Sequence, residues 1–93
     1  METDDQTFSN YRAEIARLLK RAAELTPVDQ DRIRMAVRLR HDPDEARKMF
    51  PNGTPVQAVG YSALGALAAA DGELLPDRVV ELEALLEDGL AQV

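Results

Sequence analysis

The chain has 93 residues, 45% of them hydrophobic and 30% charged, which is typical of a single globular domain over residues 1–93. Aromatic residues make up only 4% and Trp is absent, so we expect an aliphatic core of closely packed helices. The absence of Cys excludes disulfides and thiol chemistry. The acidic start of the chain is unlike a signal peptide, and no stretch is apolar enough for a membrane span, so we expect a cytoplasmic protein.

Prolines divide the chain into five predicted helices, which follow an N-terminal tail, residues 1–6, that we expect to be disordered. The first helix runs from Phe8 to Leu25, where apolar residues recur at gaps of three and four. The next three helices each begin with a good N-cap residue followed by Pro at the first helical position: Thr26-Pro27, Asp42-Pro43 and Thr54-Pro55. Leu75-Pro76 predicts a fifth start with a poorer cap.

The second helix, Pro27 to His41, is ambiguous because apolar and basic residues alternate within it, as they do in a strand. We favour a helix, since its N-cap is good and no partner strand is visible to satisfy the backbone of a lone strand. As a helix, this segment has two apolar stripes: Val28, Met35 and Leu39 on one, and Ile33 and Val37 on the other.

The same segment carries the main basic cluster of the chain: Arg32, Arg34, Arg38 and Arg40. A nucleic-acid surface needs a basic stripe, usually on a positively charged domain, whereas Asp29 and Asp31 interrupt this one. We therefore expect a solvated face whose arginines pair with acids in the C-terminal third of the chain. Alternatively, this cluster binds an acidic protein or a nucleic acid.

The third helix is short, Pro43 to Phe50, and a Pro-Asn-Gly turn follows it. The fourth helix, Pro55 to Ala70, contains no charged residue, and we expect Gly72 to close it as a left-handed cap. The fifth helix runs from Pro76 to Asp88, and we expect Gly89 to end or fray it.

The uncharged fourth helix organises the predicted fold. A helix that is apolar all round is normally buried on most sides, and Gly60 and Gly65 would let its neighbours approach closely. The sequence therefore predicts an all-α bundle of four to five helices around this central helix. The helix is either the buried centre of a monomer or a seam that a second chain completes.

The net charge of −6 is unevenly distributed. Residues 1–50 are balanced, whereas residues 51–93 hold Arg78 as their single basic residue. The acids of that C-terminal part are Asp71, Glu73, Asp77, Glu81, Glu83, Glu87 and Asp88. Such an acidic surface repels nucleic-acid backbone and attracts basic partners.

Few residues of this chain suggest a metal or catalytic site. His41 is the single His, and we interpret it as a surface residue near a helix end, with a metal or acid–base role as the alternative. The acids that begin at Asp71 do not have the spacing of a calcium-binding EF-hand. Ala70-Asp71-Gly72-Glu73 and the acidic helix after it resemble a piece of the TerB-type helical domains of tellurite resistance, and no site residue follows from that resemblance.

Because no pattern in the sequence encodes catalysis, a metal site or a cofactor, we expect a non-enzymatic protein–protein interaction module, such as an adaptor, inhibitor or assembly protein. A homodimer is one form that it can take. The expected packing or interface anchors are Tyr61, Leu64, Val79 and Leu82. The alternative function is a small nucleic-acid-associated regulator that uses the basic cluster of residues 32–40.

Overall fold

The computed structural model of the protein describes residues 4–91, and every regular element in that range is a helix. The elements are α1 (Asp4–Ala22), α2 (Pro27–Arg38), α3 (Pro43–Arg47), α4 (Pro55–Glu73) and α5 (Pro76–Ala91). The predicted all-α fold is confirmed. The segment with strand-like alternation is helical up to Arg38, as we favoured.

Three helices begin where their N-caps predict. The Oγ1 of Thr26 accepts from the Asp29 N–H at 3.1 Å, and α2 starts at the next residue. Asp42 and Thr54 have the same role in front of α3 and α4, each accepting a backbone N–H at 3.4 Å. These side chains satisfy donors that the first turn of a helix leaves free, so the starts follow from local chemistry.

The N-terminal boundary differs from the prediction. α1 begins at Asp4 rather than Phe8, so residues 4–6 of the predicted disordered tail are helical, while residues 1–3 lie outside the described range. Asp5 in the first turn pairs with Arg78 of α5 at 2.9 Å. An acid at a helix N-terminus also interacts favourably with the helix dipole, which gives a second reason for the added turn.

Two predicted helix ends are wrong. α4 continues through Gly72 to Glu73, so Gly72 is not a left-handed cap; within residues 4–91, Gly53 has the only positive φ, 75°. Contacts outside the helix hold this last turn, since Asp71 pairs with Arg40 and Glu73 accepts a hydrogen bond from Tyr11. α5 likewise runs through Gly89 to Ala91.

The other ends come earlier than predicted. α1 ends at Ala22 rather than Leu25, α2 at Arg38 and α3 at Arg47. At the first of these ends, the buried side chain of Gln30 donates to the carbonyls of Ala22 and Leu25, at 2.9 and 3.1 Å. The amide thereby satisfies acceptors that the end of a helix leaves free.

α4 lies at the centre of the bundle, as predicted, and contacts α1, α2 and α5, whereas α3 packs mainly against α2. The buried face of α4 consists of Val56, Val59, Gly60, Ala63, Ala66, Leu67 and Ala70. α2 turns Ile33 and Val37 into the core and leaves Val28 and Met35 exposed, while Leu39, the third member of their predicted stripe, packs against the core from a partly buried position. Within residues 4–91, no helix is both long enough and apolar enough to cross a membrane.

Candidate functional site

The four predicted anchors do not lie on one surface. Tyr61 is 42% exposed and Leu64 is partly buried on α4, while Val79 and Leu82 of α5 lie in the core. Val79 and Leu82 are therefore packing residues that no partner can touch while the bundle stays folded. Tyr61 and Leu64 are the two that face a surface opening.

That opening is a cleft of about 570 Å³ between α3 and α4, which we call the α3–α4 cleft. Its lining consists of Arg40, His41, Pro43, Ala46, Arg47, Tyr61, Leu64, Gly65, Ala68 and Asp71. The α4 side supplies a floor that is uncharged from Tyr61 to Ala68, because those residues belong to the uncharged stretch of the sequence. α3 supplies the opposite wall, in which Ala46 is fully buried.

Two glycines of α4 have opposite surroundings. A Cβ placed on Gly60 would overlap the ring of Phe50, so this glycine permits a close contact with Phe50, which follows α3 in the chain. At Gly65 no atom lies within 4 Å of such a Cβ, because the position opens into the cleft. The expectation of a close contact at Gly65 is therefore wrong.

Phe50 also helps to position Tyr61 at one end of the cleft. The two rings meet edge to face, with 5.8 Å between centroids and an angle of 70°. Phe50 is buried, whereas Tyr61 has one exposed side. Such an edge-to-face pair restrains the exposed ring without covering it.

Charged residues border the other end of the cleft. The guanidinium of Arg40, with a side chain only 11% exposed, contacts Asp71 at 3.0 Å and also pairs with Glu83 of α5. Asp71 and Glu83 thus share a single cation. Within residues 4–91, the side chains of Arg47 and His41 form no hydrogen bond and no ion pair, so the cleft carries unpaired side-chain donors at its rim.

The arginines of the basic cluster, residues 32–40, all form contacts within the chain. Arg38 reaches Glu87 of α5 at 2.9 Å, and Arg40 joins α4 to α5 as described above. Arg34 pairs locally with Asp31 at 3.0 Å. Arg32 lies 3.5 Å from Asp29 and donates to the carbonyl of Met49 at 3.4 Å. Each of the four arginines therefore has a carboxylate neighbour, and three of those carboxylates, Asp71, Glu83 and Glu87, belong to the acidic C-terminal third.

The pKa of Tyr11 on α1 lies well above its ordinary value. Partial burial raises the pKa of its phenol to about 12, and the neighbouring Glu73 adds to the rise. The hydroxyl donates to Glu73 Oε2 at 2.8 Å, a contact that loss of the proton would break. This pair connects α1 to the end of α4 and lies away from the α3–α4 cleft.

Metal ligands are not gathered in the described part of the chain. Within residues 4–91, no group of three or more His or acidic residues is arranged to hold a metal ion. No family model, curated protein or solved structure matches this chain, so the likeness of residues 70–88 to TerB-type domains does not extend to a family match.

Sequence reasoning identified only part of the cleft. Tyr61 and Leu64 were predicted anchors. Ala68 lies on the same side of α4, and Arg47 and His41 reach the opening from α3 and the segment before it. The sequence did contain a signal for this site: α4 is uncharged on all sides between Pro55 and Ala70, whereas a helix that is buried on one face needs apolar residues on that face only.

Proposed function

We propose that the protein is a non-enzymatic helical protein–protein interaction module whose partner docks in the α3–α4 cleft. The observation that carries this proposal is the exposed, uncharged floor formed by Tyr61, Gly65 and Ala68 in a chain that is otherwise densely charged. An amphipathic helix laid in an apolar groove is a common mode of protein recognition.

The composition of the cleft supports a protein as the ligand. Tyr61 is an exposed aromatic residue held by Phe50, and a rigid aromatic side chain is the type that most often anchors an interface. Small residues on the floor leave room for the side chains of a partner, and the donors of Arg47 and His41 at the rim would orient it. In this proposal Val79 and Leu82 contribute through core packing, and Leu64 contributes from the wall of the cleft.

The nucleic-acid alternative has weaker support. Its four arginines each have a carboxylate neighbour, so phosphate binding would have to compete with Asp29, Asp31, Asp71, Glu83 and Glu87. A gel shift with generic DNA at low salt tests this alternative, because electrostatic binding is strongest there.

Two neighbouring alanines give a matched test of the proposed function. Ala68 lines the cleft, whereas Ala69 is exposed on the same helix outside it. We expect Ala68→Glu to lose the proteins that wild type retains from the source organism, and Ala69→Glu to keep them, as measured by affinity capture and quantitative mass spectrometry. Equal thermal melts of both variants would show that the fold is intact. If Ala68→Glu retains the same proteins, the cleft is not the docking site.

A further inference from the structure

The outer face of α5 has features that complement the α3–α4 cleft. We define this face as Asp77, Val80, Ala84 and Asp88, which are exposed and share one side of the helix because they are spaced by three or four residues. Val80 is 61% exposed. Within residues 4–91, the carboxylates of Asp77 and Asp88 form no ion pair and no hydrogen bond. The face therefore presents an apolar centre between two unmatched carboxylates.

We propose that the α3–α4 cleft binds the outer face of α5 from a second copy of this chain. This inference rests on the proposed docking function of the cleft and assigns its occupant. Val80 and Ala84 would lie on the uncharged floor beside Ala68. The carboxylates of Asp77 and Asp88 would accept from Arg47 and His41, the rim donors that have no partner within one chain.

The lengths of the two surfaces agree. Along α4, the residues that line the cleft run from Tyr61 to Asp71, which is about 15 Å at 1.5 Å per residue. Along α5, Asp77 and Asp88 are about 16 Å apart by the same measure. A helix that places Val80 and Ala84 on the floor is thus long enough for its acids to reach the rim of the cleft, where Arg47 and His41 lie.

Charge also favours contact between two different faces. A chain of net charge −6 that met its copy through the same acidic face would place like charges opposite each other. Contact between cleft and helix instead sets anions of one copy against unmatched donors of the other. Asp71, the acid in the cleft lining, shares the guanidinium of Arg40 with Glu83, and this cation reduces the repulsion of an incoming carboxylate.

A mixing experiment tests this arrangement. Ala68→Glu blocks the cleft and leaves α5 intact, while Val80→Glu blocks the α5 face and leaves the cleft intact. In sedimentation velocity at roughly 10 μM to 1 mM, we expect wild type to self-associate and each variant alone to associate about tenfold more weakly or not at all. The two variants mixed together should associate again, because each supplies the surface that the other lacks.

Two further variants complete the design. Ala69→Glu, outside the cleft, should self-associate like wild type, and Arg47→Glu should weaken self-association from the cleft side without touching the floor. Unchanged thermal melts would show that lost association does not come from unfolding.

The inference is overturned if wild type stays monomeric over the whole range, or if the mixed variants do not associate. If wild type stays monomeric while Ala68→Glu still loses captured proteins, the cleft binds a different partner and the proposed function survives. If Ala68→Glu changes neither self-association nor capture, both proposals fail.

Discussion

The two sides of α4 are both uncharged between Pro55 and Ala70, but one is buried and the other is open. One side, with Val59, Ala63 and Leu67, is buried against the neighbouring helices. The other side, with Tyr61, Gly65 and Ala68, is uncharged but forms the floor of an open cleft. Since neither side carries a charged residue between Pro55 and Ala70, the absence of charge does not distinguish core from surface on this part of the helix. The difference comes from where the other helices lie, and a bare uncharged surface on a densely charged chain is the reason to propose docking there.

The largest expected effect comes from a change at Gly60. Gly60→Leu would force a side chain into the ring of buried Phe50, and we expect a loss of about 1–3 kcal/mol in the free energy of unfolding. Urea unfolding followed by circular dichroism measures it.

Gly65→Leu on the same helix is the matched control. No atom lies near a Cβ at Gly65, and Leu favours a helix over Gly by up to about 1 kcal/mol, so we expect stability to be kept or raised. If Gly60→Leu and Gly65→Leu lower the free energy of unfolding equally, the two faces of α4 are covered alike and Gly65 does not open into a cleft.

A smaller effect is expected at Arg40, which borders the open face. Arg40→Met would leave Asp71 and Glu83 without their shared cation in a partly buried position, and we expect a loss of about 1–2 kcal/mol. Arg34→Met removes a local, largely exposed pair and should cost less than about 0.5 kcal/mol. If both variants unfold at the same urea concentration, Arg40 does not stabilise the end of the cleft.

The smallest effect concerns the C-terminal end of α4, where Tyr11 donates to Glu73. The pKa of Tyr11 is raised to about 12 from 10.0, so the folded state favours the neutral phenol. The stability contributed by this shift is complete below pH 10 and is lost as the pH rises through about 12.

Phenolate absorbance measures this pKa in a Tyr61→Phe background, where Tyr11 is the remaining tyrosine. We expect Glu73→Gln to lower the pKa of Tyr11 toward its ordinary value, because burial remains but the carboxylate is gone. A pKa that does not move would contradict a contribution from Glu73.

The starts of the capped helices were predictable from sequence, whereas the start of α1 and the helix ends were not. Thr26 and Thr54 define helix starts through bonds to N–H groups three residues on, so no distant contact is needed. Gly72 was predicted as a stop, yet Arg40 and Tyr11 hold the turn around it from other helices. Gly89 stays helical against Leu19, which would lie 2.5 Å from a Cβ at that position. Such contacts join residues far apart in the chain and leave no local pattern.

The candidate site was half visible in the sequence. Tyr61 and Leu64 were predicted as anchors because they are the larger side chains on an uncharged helix. Arg47 and His41 join them only because α3 and the residues before it border the same opening, and the short α3 has no pattern that predicts where it packs. The ion pairs of Arg38 and Arg40 with the acidic third were expected from charge balance, but their particular partners required the fold.

By itself, the sequence determined that the chain is helical, where the capped helices begin, that an uncharged helix lies at the centre and that the negative charge is concentrated toward the C-terminus. These properties depend on propensity, capping and composition, which act over a few residues. The tertiary structure alone decided which side of α4 is buried, which apolar stripe of α2 enters the core and which donors border the cleft. Those outcomes depend on how the helices pack, and packing is settled by all of the faces together.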